Sequence, residues 1–392
     1  MGDHGFGQEQ GSVFGFHLGW SGNWRWIVDR TPHGDLLVQA GLQPLIDRVE
    51  AAGMEFGIWI EPEMTNENSD LFRSHPDWIL HLPPYHQPVG RYQYVLNLAH
   101  TEVSDYLFNA LCKLLAQYPG IKYLKWDMNR DLTLPGGRDG RPSVHDQTAA
   151  LYELLRRLRD RHPLVAIESC ASGGARTDFG ILEQTCRIWA SDSNDAHERV
   201  RIQRGLTYFF PPIVTGSHVG PSIGHQTKRK LSLPFRCALA LTGHMGIEID
   251  LRDLSSEELS TVECWTARYK EHRALLHNGS VRRLQTDDPA IYAHAIISED
   301  LKRFLLFVFF TDTTLNSVQG PLRITGLDPS RSYDLLLWDK PEIPSPAMER
   351  FDSALMSEPT VTVSGEFLER VGIILPVGFP DSAVILEGNP ND

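Results

Sequence analysis

Between residues 43 and 276, short apolar runs that close on polar residues alternate with amphipathic stretches of helical period, which confines the chain to a parallel α/β architecture. Seven runs read as strands: residues 56–62, 94–97, 123–129, 165–170, 188–192, 213–218 and 246–250. Helices fit between most of them, at residues 102–117, 146–161 and 197–209. A further helix precedes them at residues 43–52, where Leu45, Ile46, Val49 and Ala52 share a face and Gly53 supplies the stop. Polar residues gathered at the C-terminal ends of parallel strands are the arrangement of a (β/α)8 TIM-type barrel, whose active site is built there. Seven strands are one short of eight.

The flanks differ in texture. Residues 11–40 carry aromatic and β-branched runs broken by turns at residues 21–23 and 31–34, the pattern of a short N-terminal antiparallel β-meander. After a helix at residues 255–276 the helical period stops, and runs at 290–297, 303–310, 322–324, 333–338, 360–363 and 383–387 predict a C-terminal antiparallel β-sandwich. The divisions expected are therefore 1–41, 42–278 for the barrel, and 279–392.

A formal net charge of −13 argues against nucleic acid or an anionic membrane as partner, since either needs a basic face. No stretch approaches the eighteen or so apolar residues of a membrane span, and residues 1–10 lack the basic start and apolar run of a secretory signal, so a cytoplasmic location is expected. The five cysteines are scattered and form no CxxC pair, which argues against a disulfide framework and a zinc site. No cofactor and no metal is expected.

The chemistry lies at the strand ends: Trp59, Glu61 and Glu63; Lys125, Asp127 and Asn129; Glu168 and Cys170 before Gly173 and Gly174; and Asp192 with Asp195. Lys125 and Asp127 are two apart, on one face of a strand, so the ammonium is expected to keep the carboxylate ionised. Alone, a Lys-x-Asp at a strand end is more often a surface ion pair. Arrayed with carboxylates, amides and an indole on successive strands, it suits glycoside hydrolysis, in which one carboxylate attacks the sugar and another protonates the leaving oxygen.

Five stretches carry a specific resemblance: Phe56-Gly-Ile-Trp-Ile-Glu-Pro-Glu-Met64, Ser74-His-Pro-Asp-Trp-Ile-Leu80, Lys125-Trp-Asp-Met-Asn-Arg130, Glu168-Ser-Cys-Ala-Ser-Gly-Gly174 and Trp189-Ala-Ser-Asp-Ser-Asn-Asp-Ala196. From about residue 42 onward the chain resembles the bacterial α-galactosidases of glycoside hydrolase family 36. That resemblance implies hydrolysis of terminal α-galactosides such as melibiose and raffinose, with retention of configuration, on an often homo-oligomeric protein. It implies Asp127 as nucleophile, Asp192 as acid/base with Asp195 in support, and Trp59, Arg91, Lys125, Asn129, Cys170 and Gly173 as sugar-binding residues.

The family's first barrel strand ends in Asp-Asp-Gly-Trp, whose aspartates hold galactose hydroxyls, and no such motif occurs here. Residues 1–41 then read as the remnant of an N-terminal β-sandwich, with the first barrel strand missing or substituted. Either residues 36–39 or a run of the preceding meander is expected against the strand at 56–60. Each lost charge-assisted hydrogen bond would cost about 1.5–3 kcal/mol of galactose affinity, so an impaired α-galactosidase is expected. The alternative is a catalytically silent galactoside-binding protein or a non-functional remnant of such an enzyme.

Overall fold

The computed structural model describes residues 13–17, 41–137, 140–339 and 354–391. The chain divides into two compact units, Met1–Trp189 and Ala190–Asp392.

In the first unit the strands β1 (Val13–His17), β2 (Glu55–Ile60), β5 (Ile121–Trp126), β6 (Ala166–Ser169) and β7 (Arg187–Trp189) lie side by side in that order, all parallel. Helices α1 (Gln43–Ala51), α2 (Thr101–Gln117) and α3 (Val144–Arg161) connect them. The helices form where the sequence repeats apolar residues about one turn apart. Val103, Leu107, Leu111 and Leu115 line one stripe of α2, and Leu151, Leu154, Leu155 and Leu158 line one of α3. Both stripes join a core with Phe56, Ile58, Ile121 and Leu124 of the sheet. Each such side chain stabilises by about 1.5–3 kcal/mol when fully buried.

Two expectations are corrected here. Residues 94–97 do not enter the parallel sheet: β4 (Gln93–Val95) pairs antiparallel with β3 (Met64–Asn66) in a separate two-stranded ribbon. A parallel neighbour needs a long crossover, usually a helix, and the stretch between β3 and β4 holds only the five-residue helix Asp70–Ser74 and a 3-10 turn. The N-terminal run is also not purely antiparallel, because β1 pairs parallel with β2, from Val13 opposite Glu55 to His17 opposite Trp59. A run from the meander thus lies against the strand at 56–60, the second of the two options expected. Residues 36–39, and the turns at 21–23 and 31–34, lie outside the described residues.

The second unit holds the parallel pair β8 (Thr215–Val219) and β9 (His244–Ile247), with helices α4 (Ala196–Leu206), α5 (Leu233–Ala240) and α6 (Ser256–Asn278). Ser255 and Glu258 form a reciprocal capping box that starts α6. Six strands then make one antiparallel sheet in the order β10 (Ser280–Leu284), β11 (Ile291–Ile297), β12 (Phe304–Phe310), β15 (Ser382–Pro390), β13 (Ser332–Leu337) and β14 (Val361–Ser364). Leu322 contributes only an isolated bridge to Ile373 rather than a strand. Every residue of β12 is buried because both faces of the sheet are covered. Phe304, Leu306 and Val308 pack with Leu322, Ile324 and Leu368, whereas Leu305, Phe307 and Phe309 pack with Val200, Leu239 and Trp265 of the helices. Among the described residues no helix is long and apolar enough to cross a membrane.

Candidate active site

In-register parallel pairing sets Trp59 of β2 beside Lys125 of β5, and Lys125 beside Glu168 of β6, so the three side chains share one face. The Lys125 Nζ lies 3.5 Å from Glu168 Oε1 and 4.5 Å from the centre of the Trp189 ring. The other Glu168 oxygen accepts a 2.5 Å hydrogen bond from Tyr123.

Asp127 follows directly after β5, and its amide donates to the Ile60 carbonyl at 2.9 Å, which carries the pairing one residue past the strand. Its side chain is 6% exposed. Oδ2 accepts from Trp59 Nε1 at 2.9 Å and from Asn129 Nδ2 at 2.7 Å, while Oδ1 accepts from the Met128 amide at 2.8 Å. Burial pushes this carboxyl up. The donors Asn129, Trp59, Cys170 and the Met128 amide outweigh it and hold Asp127 below the ordinary carboxylate range. The thiol partner is fit to donate, because burial and then the Asp127 charge push Cys170 well above the usual thiol value and keep it protonated. These hydrogen bonds lead in lowering Asp127, and the Lys125 ammonium is paired to Glu168 beside it.

Asn129 does more than line the site. Its Nδ2 donates to Asp127 and also to Glu61 Oε1, while its Oδ1 accepts from the Ser172 amide at 3.2 Å and hydroxyl at 3.1 Å. One amide group thus bridges two buried carboxylates and ties both to the loop after β6. Glu61 also receives Arg91 at 3.4 Å and Gln93 at 3.5 Å. Arg91 sits in a two-residue turn, with φ of 51° there and 59° at Tyr92, closed by the Gln93 amide donating to the Gly90 carbonyl at 2.9 Å. A left-handed conformation costs a side-chain-bearing residue roughly 1–2 kcal/mol, so the fold holds this arginine at some expense. Gly173 lies in the loop after β6 with φ of 86°, a conformation open to glycine, beside Ser172 at 47°. Glu63 faces elsewhere, taking Trp126 Nε1 at 2.7 Å and Arg176 at 2.6 Å.

The second unit separates Asp192 from Asp195. Asp192 is exposed. Asp195 is 2% exposed and caps α4, its Oδ1 accepting from the His197 amide at 2.9 Å and its Oδ2 from Arg229 at 2.9 Å and from Thr227. Arg199, 1% exposed, donates to the carbonyls of Ser191 at 2.8 Å and Ser193 at 2.9 Å and so fixes the backbone on both sides of Asp192. Sequence reading passed over Arg199, Arg176, Gln93 and Ser172. Only Ser172, within the Glu168 to Gly174 stretch, carried any signal.

Among the described residues no group of three or more His, Cys, Asp or Glu side chains could hold a metal ion. Residues 11–279 match the Melibiase family and residues 291–386 the Glycosyl hydrolase family 36 C-terminal domain. The chain belongs to the melibiases of glycoside hydrolase family 36. The chain is 45% identical over 351 residues to the α-galactosidase of Escherichia coli, covering 88% of this chain and 49% of that protein. The α-galactosidase structure from Lactobacillus brevis aligns with a TM-score of 0.83 at 29% identity, over 97% of this chain and 50% of that one. A variant of the α-galactosidase AgaA from Geobacillus stearothermophilus, solved in complex with raffinose, aligns with a TM-score of 0.79 at 31% identity, over 90% and 47% of the two chains. The chain therefore spans about half the length of the relatives it matches. Its fold class is theirs, the TIM-type α/β barrel fold with an antiparallel C-terminal sheet.

Proposed function

We propose that this melibiase is a retaining α-galactosidase that hydrolyses terminal α-galactosides of the melibiose and raffinose type by double displacement. Asp127 attacks the anomeric carbon as the glycosidic bond breaks, and Asp192 gives its proton to the departing oxygen. Asp192 then takes a proton from water, which attacks the same carbon and releases Asp127. The observation that carries this reading is the state of Asp127: a buried carboxylate at a strand end, kept ionised by four donors, with an indole and an ammonium on the adjoining face. Trp59, Arg91, Lys125, Asn129, Cys170 and Gly173 are taken as the sugar-binding set, and residues 42–278 as the catalytic part. The test is turnover of p-nitrophenyl α-galactoside by the purified protein and by Asp127→Ala. Loss of turnover, with partial return in azide as a β-galactosyl azide, supports the assignment; a variant that keeps the parent rate ends it.

A second reading, a galactoside binder without turnover, has one observation in its favour. The sequence at the end of β1 and just after it reads His17-Leu18-Gly19-Trp20, with a histidine and a leucine where the family's motif has two aspartates before Gly-Trp. Galactose binding with no release of p-nitrophenol would select it.

A further inference from the structure

Away from the strand ends, the second unit contains a small cavity where the last turn of α4 meets β10 and β11. It is lined by Arg204, Thr207, Arg283, Tyr292 and His294 over an apolar floor that includes Phe309. None of its lining side chains is acidic among the described residues. Arg204 is bonded through Nη1 to the Ala293 carbonyl at 3.3 Å, and Arg283 through Nη1 to the Thr207 carbonyl at 2.8 Å. The guanidiniums also lie against aromatic rings, Arg204 at 5.7 Å from the Tyr292 centroid and Arg283 at 4.1 Å from that of Tyr208. Neither forms an ion pair with a carboxylate among the described residues, so the lining, with the buried side of the exposed Arg283 at its edge, carries two positive charges and no counter-charge.

We propose that this cavity binds one small monovalent anion of chloride's size between Arg204 and Arg283. Size decides the class of ligand. The space left for a water-sized body is about 20 Å³, against roughly 10–15 Å³ for one water, which fits a halide. The C-terminal end of α4 opposes an anion with about half a negative charge, less than the two guanidiniums supply. His294, stacked on Phe307 with ring centres 5.1 Å apart, adds no charge of its own at neutral pH. Its burial and the two arginines push it down to about 4. The anion would join the far end of α4, the helix that begins next to Asp192 and Asp195, to the C-terminal sheet.

The test uses the whole chain. Crystals soaked in bromide should show an anomalous peak between Arg204 and Arg283. In solution, chloride substituted for gluconate at constant ionic strength should raise Tm by about 2 °C near tenfold saturation, and Arg283→Met and Arg204→Met should each remove that increment. No peak, or a chloride response that survives in both variants, overturns the proposal. Bromide density with no chloride effect on Tm would mean an adventitious ion only, and overturns it as well.

Discussion

Asn129→Leu removes the amide that joins the two carboxylates of the site while keeping the branched four-heavy-atom shape of the side chain, and its consequence can be worked from the hydrogen bonds. Asp127 loses its 2.7 Å donor and keeps Trp59, the Cys170 thiol and the Met128 amide, and Glu61 is left with Arg91 at 3.4 Å and Gln93 at 3.5 Å. A hydrogen bond to a charged group contributes about 1.5–3 kcal/mol, so kcat/KM for an aryl α-galactoside should fall roughly tenfold to hundredfold. Asn129 leads the influences that lower the Asp127 carboxyl, so its loss should raise that carboxyl. The acidic limb of the kcat/KM profile, which reports the free enzyme's base or nucleophile, should then move to higher pH. The assay is initial rate against pH for the two proteins, with thermal unfolding as a control for folding. A kcat/KM within twofold of the parent and an unmoved acidic limb would refute the reasoning.

Other outcomes follow from the same contacts. Asp192→Ala should slow galactosides with poor leaving groups far more than activated aryl galactosides, whereas Asp195→Ala should affect both alike and lower Tm, because it removes a helix cap and leaves Arg229 without its 2.9 Å partner; the reverse substrate pattern would exchange the two roles. Arg199→Met should mimic Asp192→Ala in its leaving-group dependence, since it frees the carbonyls on both sides of Asp192; equal effects on both substrates would count against a positioning role. His294 is held down to about 4 in the fold against about 6.5 unfolded, so the unfolded chain binds its proton first and stability should be lost as pH falls between those values. Denaturant midpoints for His294→Phe, with Tyr292 and Phe309 unchanged, should vary less over that window, and an identical pH dependence would contradict the assignment.

Much of this was legible in the sequence, for physical reasons. Apolar stripes repeated about one helical turn apart, as at Leu107, Leu111 and Leu115, and apolar runs that close on charge, as at residues 123–129, are local patterns that name their element and its functional end. Pairing partners are not local. The run at residues 13–17 has the same alternation whether it pairs parallel or antiparallel, and only its neighbour β2 fixes the direction. Lys125 and Asp127 are two apart in the chain, whereas Glu168, 43 residues on from Lys125, reaches the same level only through in-register pairing, and the ammonium pairs with it. Arg199 was passed over because an arginine within an amphipathic helix reads as a solvated face, and its burial follows from the carbonyls of a loop that sequence cannot orient.

The measurement that tests the central claim most directly is the configuration of the first galactose released, followed by proton NMR in the minutes before mutarotation. Double displacement through Asp127 predicts that α-galactose appears first and the β-anomer grows in later. β-Galactose as the initial product would contradict the nucleophilic role of Asp127 and point to direct attack by water.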